Sequence, residues 1–261
     1  MKTNKNDAND AQAIVEAASR PSMNFVPIKQ VEQQDIQSIH RIRTRVVKSR
    51  TALINEIRGL CLEYGVILTA GAARVKPSLC AAIASSDNEL TPSSREFMQD
   101  LYDELVEVEC RLKKLDAKIR QLCRQDERCK RILKVPGIGE LTAMAIVAAV
   151  PDPKEFRNGR HMSAWLGLVP RQASSGDKQR LLGISKRGDR YLRTLLIHGA
   201  RAVLSHYKDR GNDYTRWVGR KKATLSHNKA AVALANKNAR IIWSMLSSGE
   251  EFNYGVQTAA A

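Results

Sequence analysis

The chain has 261 residues, 43% of them hydrophobic and only 5% aromatic, with a formal charge of +16. That length supports one large domain or two ordinary ones, and the apolar fraction excludes a disordered tail. Abundant Ala, Leu, Ile, Arg and Lys beside few aromatics favours helices, so a mainly α protein is expected. The charge is concentrated: residues 154–240 hold 20 Lys and Arg against 5 Asp and Glu. A basic domain of that kind attracts polyanions by counterion release, and without a long apolar span or amphipathic anchor nucleic acid is a better partner for it than a membrane. The competing reading is a solvated, solubilising surface.

Cys61, Cys80, Cys110, Cys123 and Cys129 form no CxxC pair, and no secretory leader is expected ahead of them. They are expected as reduced, packed thiols in a cytoplasmic protein. The five histidines also lack ligand spacing, which argues against zinc.

In chain order, polar residues 1–9 lead into helical periodicity from Asp10 to Ala18, which stops before Arg20-Pro21. Asp7 and Asp10 stand three apart, so a helix places both carboxylates on one face. Such a pair either caps the helix and complements its dipole or offers oxygen ligands to Mg²⁺.

From Val31 to Tyr64, Ile36, Ile39, Ile42, Val46, Leu53, Ile57 and Leu60 recur at helical spacing. A Gly/Ala/Pro-bearing interval from Gly65 to Pro92 follows. A second long helix then carries Phe97, Leu101, Leu105, Val108, Leu112, Leu115, Ile119 and Leu122 in steps close to a heptad seam. The two helices suit an antiparallel coiled-coil arm, a homo-oligomer interface, or two members of an ordinary bundle.

The chain changes character near residues 128–131. The expected organisation is therefore 1–30, a long-helix region 31–127, a helical region 128–248, and a flexible tail 249–261. Helices are expected at Leu141–Val150, His161–Leu166, Arg187–Leu204 and Lys229–Leu246.

Three segments of the basic region could carry chemistry. In Val135-Pro136-Gly137-Ile138-Gly139, two glycines precede an apolar helix. Gly137 and Gly139 would let backbone amides approach a phosphate, as in a helix-hairpin-helix motif, although PG and GxG also mark plain interhelical turns. Ser174-Ser175-Gly176 sits among Arg171, Lys178 and Arg180, where a hydroxyl could attack phosphorus with cations stabilising the developing charge. Taken alone, such a loop is usually just a turn. Lys186, Arg187, Arg190 and Arg193 open an apolar helix whose basic flank could lie along a nucleic-acid backbone.

Taken together, Lys5-Asn6-Asp7-Ala8-Asn9-Asp10-Ala11, Phe25-Val26-Pro27-Ile28-Lys29, Glu32-Gln33-Gln34, Arg50-Thr51-Ala52-Leu53-Ile54-Asn55, Val135-Pro136-Gly137-Ile138-Gly139, Gly167-Leu168-Val169-Pro170-Arg171-Gln172 and Ser185-Lys186-Arg187-Gly188 resemble, in order, the DEDD-type insertion-sequence transposases of the IS-one-ten and IS-eleven-eleven class. The resemblance implies a RuvC-like domain with four Mg²⁺-binding acidic residues and a C-terminal transposase domain with a serine nucleophile. It implies site-specific DNA recombination guided by an RNA from the element, in coiled-coil-linked oligomers at the bacterial nucleoid. Asp7 and Asp10 match the third and fourth acidic residues, and Ser175 matches the nucleophile, with Ser174 beside it. The first two acidic residues have no counterpart after Met1, so residues 1–30 read as a remnant of the RuvC-like domain and the isolated chain as impaired in strand transfer. The alternative is a non-catalytic nucleic-acid-binding protein that associates with an intact transposase.

Overall fold

A computed structural model describes residues 6–21, 28–173 and 180–255, and among these the protein is mainly α: ten α-helices, two short 3-10 turns and one small hairpin. Residues up to Val31 form one unit and residues from Glu32 onward another. The first unit contains α1, Asp7–Ser19. It starts where Asn6, in extended conformation, accepts a hydrogen bond from the Ala8 amide, the usual way to satisfy an orphan donor at a helix start. Its side chains are not buried within that unit.

The second unit takes in α2, Val31–Glu63, from Glu32 onward, and this helix runs antiparallel to α4, Pro92–Gln125. Arg43 pairs with Asp116 at 2.5 Å, Arg50 with Glu109 at 2.7 Å, and the Cys61 thiol lies 3.7 Å from the Met98 sulfur. Partners descend along α4 as positions rise along α2, so the apolar seam closes within the chain. The interval between them is not irregular throughout: α3, Val75–Ala84, buries Val75 and Leu79 against the tip of the pair, with Lys76 reaching Glu109 at 2.5 Å. Pro77 sits in the first turn of α3, where its missing amide N–H breaks no helical bond.

A second core lies further along the chain. Its centre is α6, Glu140–Ala149, where Thr142 through Ala148 are all buried. A helix apolar on every side belongs inside a protein. Against it pack α4, α5 (Glu127–Ile132) and α8 (Arg190–Ser205), and α10 (His227–Ser248) joins α5 and α8 to α7 (Gly159–Trp165) and α9 (Asp213–Thr224) in the same core. Ile119 and Cys123 of α4 belong to this core, and Ile36 and Ile39 of α2 pack on it. Gln37 also donates to the Ala148 carbonyl at 3.0 Å. Hence the long helices are rooted in the basic region, and the hydrophobic core runs through residues 128–131 without a break.

Between α7 and α8, strand β1 (Pro170–Gln172) pairs antiparallel with β2 (Leu181–Ile184). Three thiols, Cys61, Cys123 and Cys129, are buried as expected, whereas Cys80 and Cys110 are exposed. Among the described residues no helix is long and apolar enough to cross a membrane, and no group of three or more His, Cys, Asp or Glu could hold a metal ion.

Candidate nucleic-acid interface

The glycine-bearing turn joins α5 to α6, and its two glycines serve different ends. Gly137 has φ +85°, and a Cβ there would lie 2.7 Å from the Gly199 carbonyl oxygen. The reverse contact is tighter, since a Cβ on Gly199 would meet the Gly137 carbonyl at 1.9 Å. Gly137 is therefore needed for packing the turn against α8. Asn238 of α10 holds the same turn by donating to the Pro136 carbonyl at 2.9 Å, while accepting from the Tyr214 hydroxyl at 3.1 Å. Gly139 is exposed, caps α6 without a side chain, and leaves open space where a Cβ would project. That open end carries the partial positive charge of a helix start. Glu140 stands in the same first turn and opposes an anion there, with Arg124 3.8 Å from its carboxylate.

The basic cluster is built on a backbone crossing. At Gly167, φ is +71° and a Cβ would fall 2.1 Å from the Arg187 carbonyl oxygen; at Gly188, φ is +98° and a Cβ would fall 1.8 Å from that of Trp165. Lys186 also adopts positive φ, +55°. The Lys186 amide donates to the Gly167 carbonyl, and the Ser185 amide to Val169. Asp189 then caps α8 by accepting from the Tyr191 and Leu192 amides at 2.7 and 3.0 Å. Only glycine passes a backbone this closely at these dihedrals.

This crossing brings β1, β2 and the start of α8 together, and with them Arg171, Arg180, Lys186, Arg187 and Arg190. All five are exposed. Among the described residues none of them pairs with a carboxylate. Arg193 departs from the expectation. It is 8% exposed, and its guanidinium donates to the Leu166 carbonyl at 3.1 Å. One helical turn beyond Asp189, its position faces the core, so Arg193 ties α8 to the end of α7 and is not part of the open basic flank.

His40 fixes the same corner from α2. Its Nδ1 lies 3.0 Å from the Tyr191 hydroxyl, and its Nε2 is buried without a partner. Burial, with Arg43 nearby, pulls its pKa down to about 4, and burial raises that of Tyr191. His40 is neutral at pH 7 and acts as a wedge between helices.

Ser174, Ser175 and Lys178 lie outside the described residues. Asp7 and Asp10 stand exposed in the first turn of α1. Reading the sequence for motifs missed a further group of cations, Arg160, Lys237 and Arg240. The available signal was the three-residue spacing of Lys237 and Arg240 on one apolar helix; nothing in sequence linked them to Arg160.

Residues 129–216, from α5 into α9, match the model of the transposase IS116/IS110/IS902 family. The chain is 49% identical over 255 residues to the transposase for insertion sequence element IS1111A of Coxiella burnetii, an alignment covering 98% of this chain and 70% of the relative. It is 50% identical over 248 residues to a probable family 20 transposase of Pseudomonas aeruginosa, covering 95% and 73%. The transposase for insertion sequence element IS1328 of Yersinia enterocolitica is 35% identical over 253 residues, covering 97% and 75%. This chain belongs to the IS116/IS110/IS902 family of transposases.

Proposed function

We propose that the chain acts in DNA transposition, gripping a DNA backbone with the exposed cations of the β1–β2 hairpin and the start of α8. The observation that carries this reading is that Arg171, Arg180, Lys186, Arg187 and Arg190 are exposed together and pair with no carboxylate among the described residues. Side chains so arranged neutralise phosphates without reading bases. Ser175 stands in the chain between the two strands. In this reading its Oγ bonds to phosphorus, one ester oxygen of the strand leaves with the serine proton, and the cations stabilise charge on the transferring group.

Asp7 and Asp10 would offer carboxylate oxygens to Mg²⁺, which supplies further charge neutralisation at phosphate when bound. Two exposed carboxylates on one helical turn fall short of an octahedral shell, and the described residues add no third acidic or histidine ligand beside them. They do not fit a resident Mg²⁺ on their own, so no step of the chemistry is drawn through it. The alternative reading is a chain that binds nucleic acid and assembles with an intact transposase without itself joining strands. An RNA from the element is the expected guide. Any oligomer through the long helices would use faces away from the α2–α4 seam.

The test is DNA affinity against salt. Five phosphate contacts give a log–log slope of about −4.5 on duplex DNA, and each Arg→Gln or Lys→Gln change in the cluster should make it shallower by about 0.9. Unchanged slopes when all five are replaced would refute the grip. Denaturing gels of labelled DNA incubated with the chain and Mg²⁺ test the chemistry. Little covalent adduct is expected from the isolated chain, and any adduct formed should vanish with Ser175→Ala and persist with Ser174→Ala.

A further inference from the structure

A pocket of about 420 Å³ opens between the start of α7 and the middle of α10, lined by Asn158, Gly159, Arg160, Lys237, Arg240 and Trp243 among others. Buried Gly159 makes it possible. A Cβ at that position would sit 3.0 Å from both Cα and the carbonyl oxygen of Arg240. The two helices therefore touch backbone to backbone, which sets Arg160 beside Arg240 and Lys237. Lys237 is half-buried and its ammonium lies 4.7 Å over the Trp217 ring, with Lys221 at 5.8 Å from the same ring. Trp243 is fixed by donating its indole N–H to the Pro153 carbonyl at 2.9 Å.

None of these three cations pairs with a carboxylate among the described residues. Burial and the charges of Arg240 and Arg220 hold Lys237 below the ordinary lysine range, with Asp213 pulling the other way. Asp213 itself pairs with Arg216 at 2.6 Å. Arg240 and Lys237 carry like charges close enough to oppose one another, and an anion bound beside them relieves that opposition. Two guanidinium forks suit a phosphate group, and the Trp243 and Ile241 side chains give an apolar wall for an adjoining sugar or base.

We propose that this pocket receives a phosphate of a nucleic-acid backbone, a contact point separate from the β1–β2 cluster. The inference rests on the reading of the chain as a nucleic-acid binder. Continuity supports a backbone over a free anion. The pocket lies at the start of α7 and the basic hairpin follows its end, about 10 Å along the helix, which is roughly three base steps at ~3.4 Å.

The test uses the full chain with Arg160→Gln and Arg240→Gln combined, both changes at exposed positions, and with Arg240→Lys as the charge-retaining control. Thermal melting establishes that each variant folds as the parent does. Affinities for a labelled duplex are measured across salt, beside a variant with the hairpin cations replaced. The double variant should lose about 0.9 from the slope, which is roughly eight-fold in affinity at 0.1 M salt, and Arg240→Lys should keep most of it. A parallel titration with pyrophosphate, followed by tryptophan fluorescence, separates the two sources of phosphate. If pyrophosphate saturates the parent but not the double variant while the nucleic-acid slope is unchanged, the pocket serves a free anion and the proposal is overturned. If only the hairpin variant loses slope, the proposal fails and the hairpin grip stands. If only the double variant does, the outcome is the reverse, and a chain with no nucleic-acid affinity overturns both.

Discussion

Gly188 is the most demanding position of the basic region, and Gly188→Ala tests the account of how that region is assembled. Its φ of +98° is costly for any side chain, about 1 to 3 kcal/mol, and the new Cβ would stand 1.8 Å from the Trp165 carbonyl oxygen. That oxygen is backbone and cannot swing aside. Moving it also disturbs Leu166, whose carbonyl accepts from Arg193. Overpacking of this kind adds about 1 to 3 kcal/mol, so the substitution should destabilise the protein by roughly 2 to 6 kcal/mol. For a unit of this size each kcal/mol moves the melting temperature by about 2 to 4 °C, so calorimetry should show a fall of ~4 °C or more. Gly183→Ala is the internal control. It lies on β2 with nothing within 4 Å of its Cβ position and no positive φ, and should leave the melt within about 1 °C. Equal melting temperatures for the two variants would refute the crossing as described.

Two further predictions concern the helices around this region. His40 is neutral in the fold with a pKa of about 4 against 6.5 when unfolded, so its contribution is complete above pH 6.5 and is lost as pH falls from there through 4. Roughly 3 kcal/mol should disappear over that window in denaturant titrations, and His40→Gln should flatten that part of the profile; an equally steep profile in the variant would exclude His40 as its source. Gly59 and Gly199 both sit inside long helices, yet an alanine should act oppositely at each. Gly59→Ala meets open space on α2 and should stabilise by about 0.5 to 1 kcal/mol, whereas Gly199→Ala drives a Cβ against the Gly137 carbonyl and should destabilise. Urea midpoints that moved in the same direction for both would sink this contrast.

Much of the secondary structure was legible because it rests on local periodicity. Val31–Glu63 and Pro92–Gln125 announce themselves by apolar spacing, and α1, α6, α7, α8 and α10 fall within a few residues of expectation. What escaped were elements without a period of their own. α3 hides behind Pro77, α9 is polar enough to read as a loop, and the three- and four-residue strands of the hairpin are exposed, so no alternation marks them.

The sequence by itself determined the helical class, the clustering of positive charge between residues 154 and 240, and the motifs that carry the family resemblance, because these are properties of composition and order. Tertiary structure alone decided what each motif residue does. It turned Arg193 inward to Leu166, spent Gly137 on contact with Gly199, left Gly139 open, and closed the seam of α2 against α4 within one chain. It also placed Arg160 beside Lys237 and Arg240. These outcomes depend on close approaches between backbones far apart in sequence, and a periodicity computed over neighbours carries no information about which distant segment will arrive.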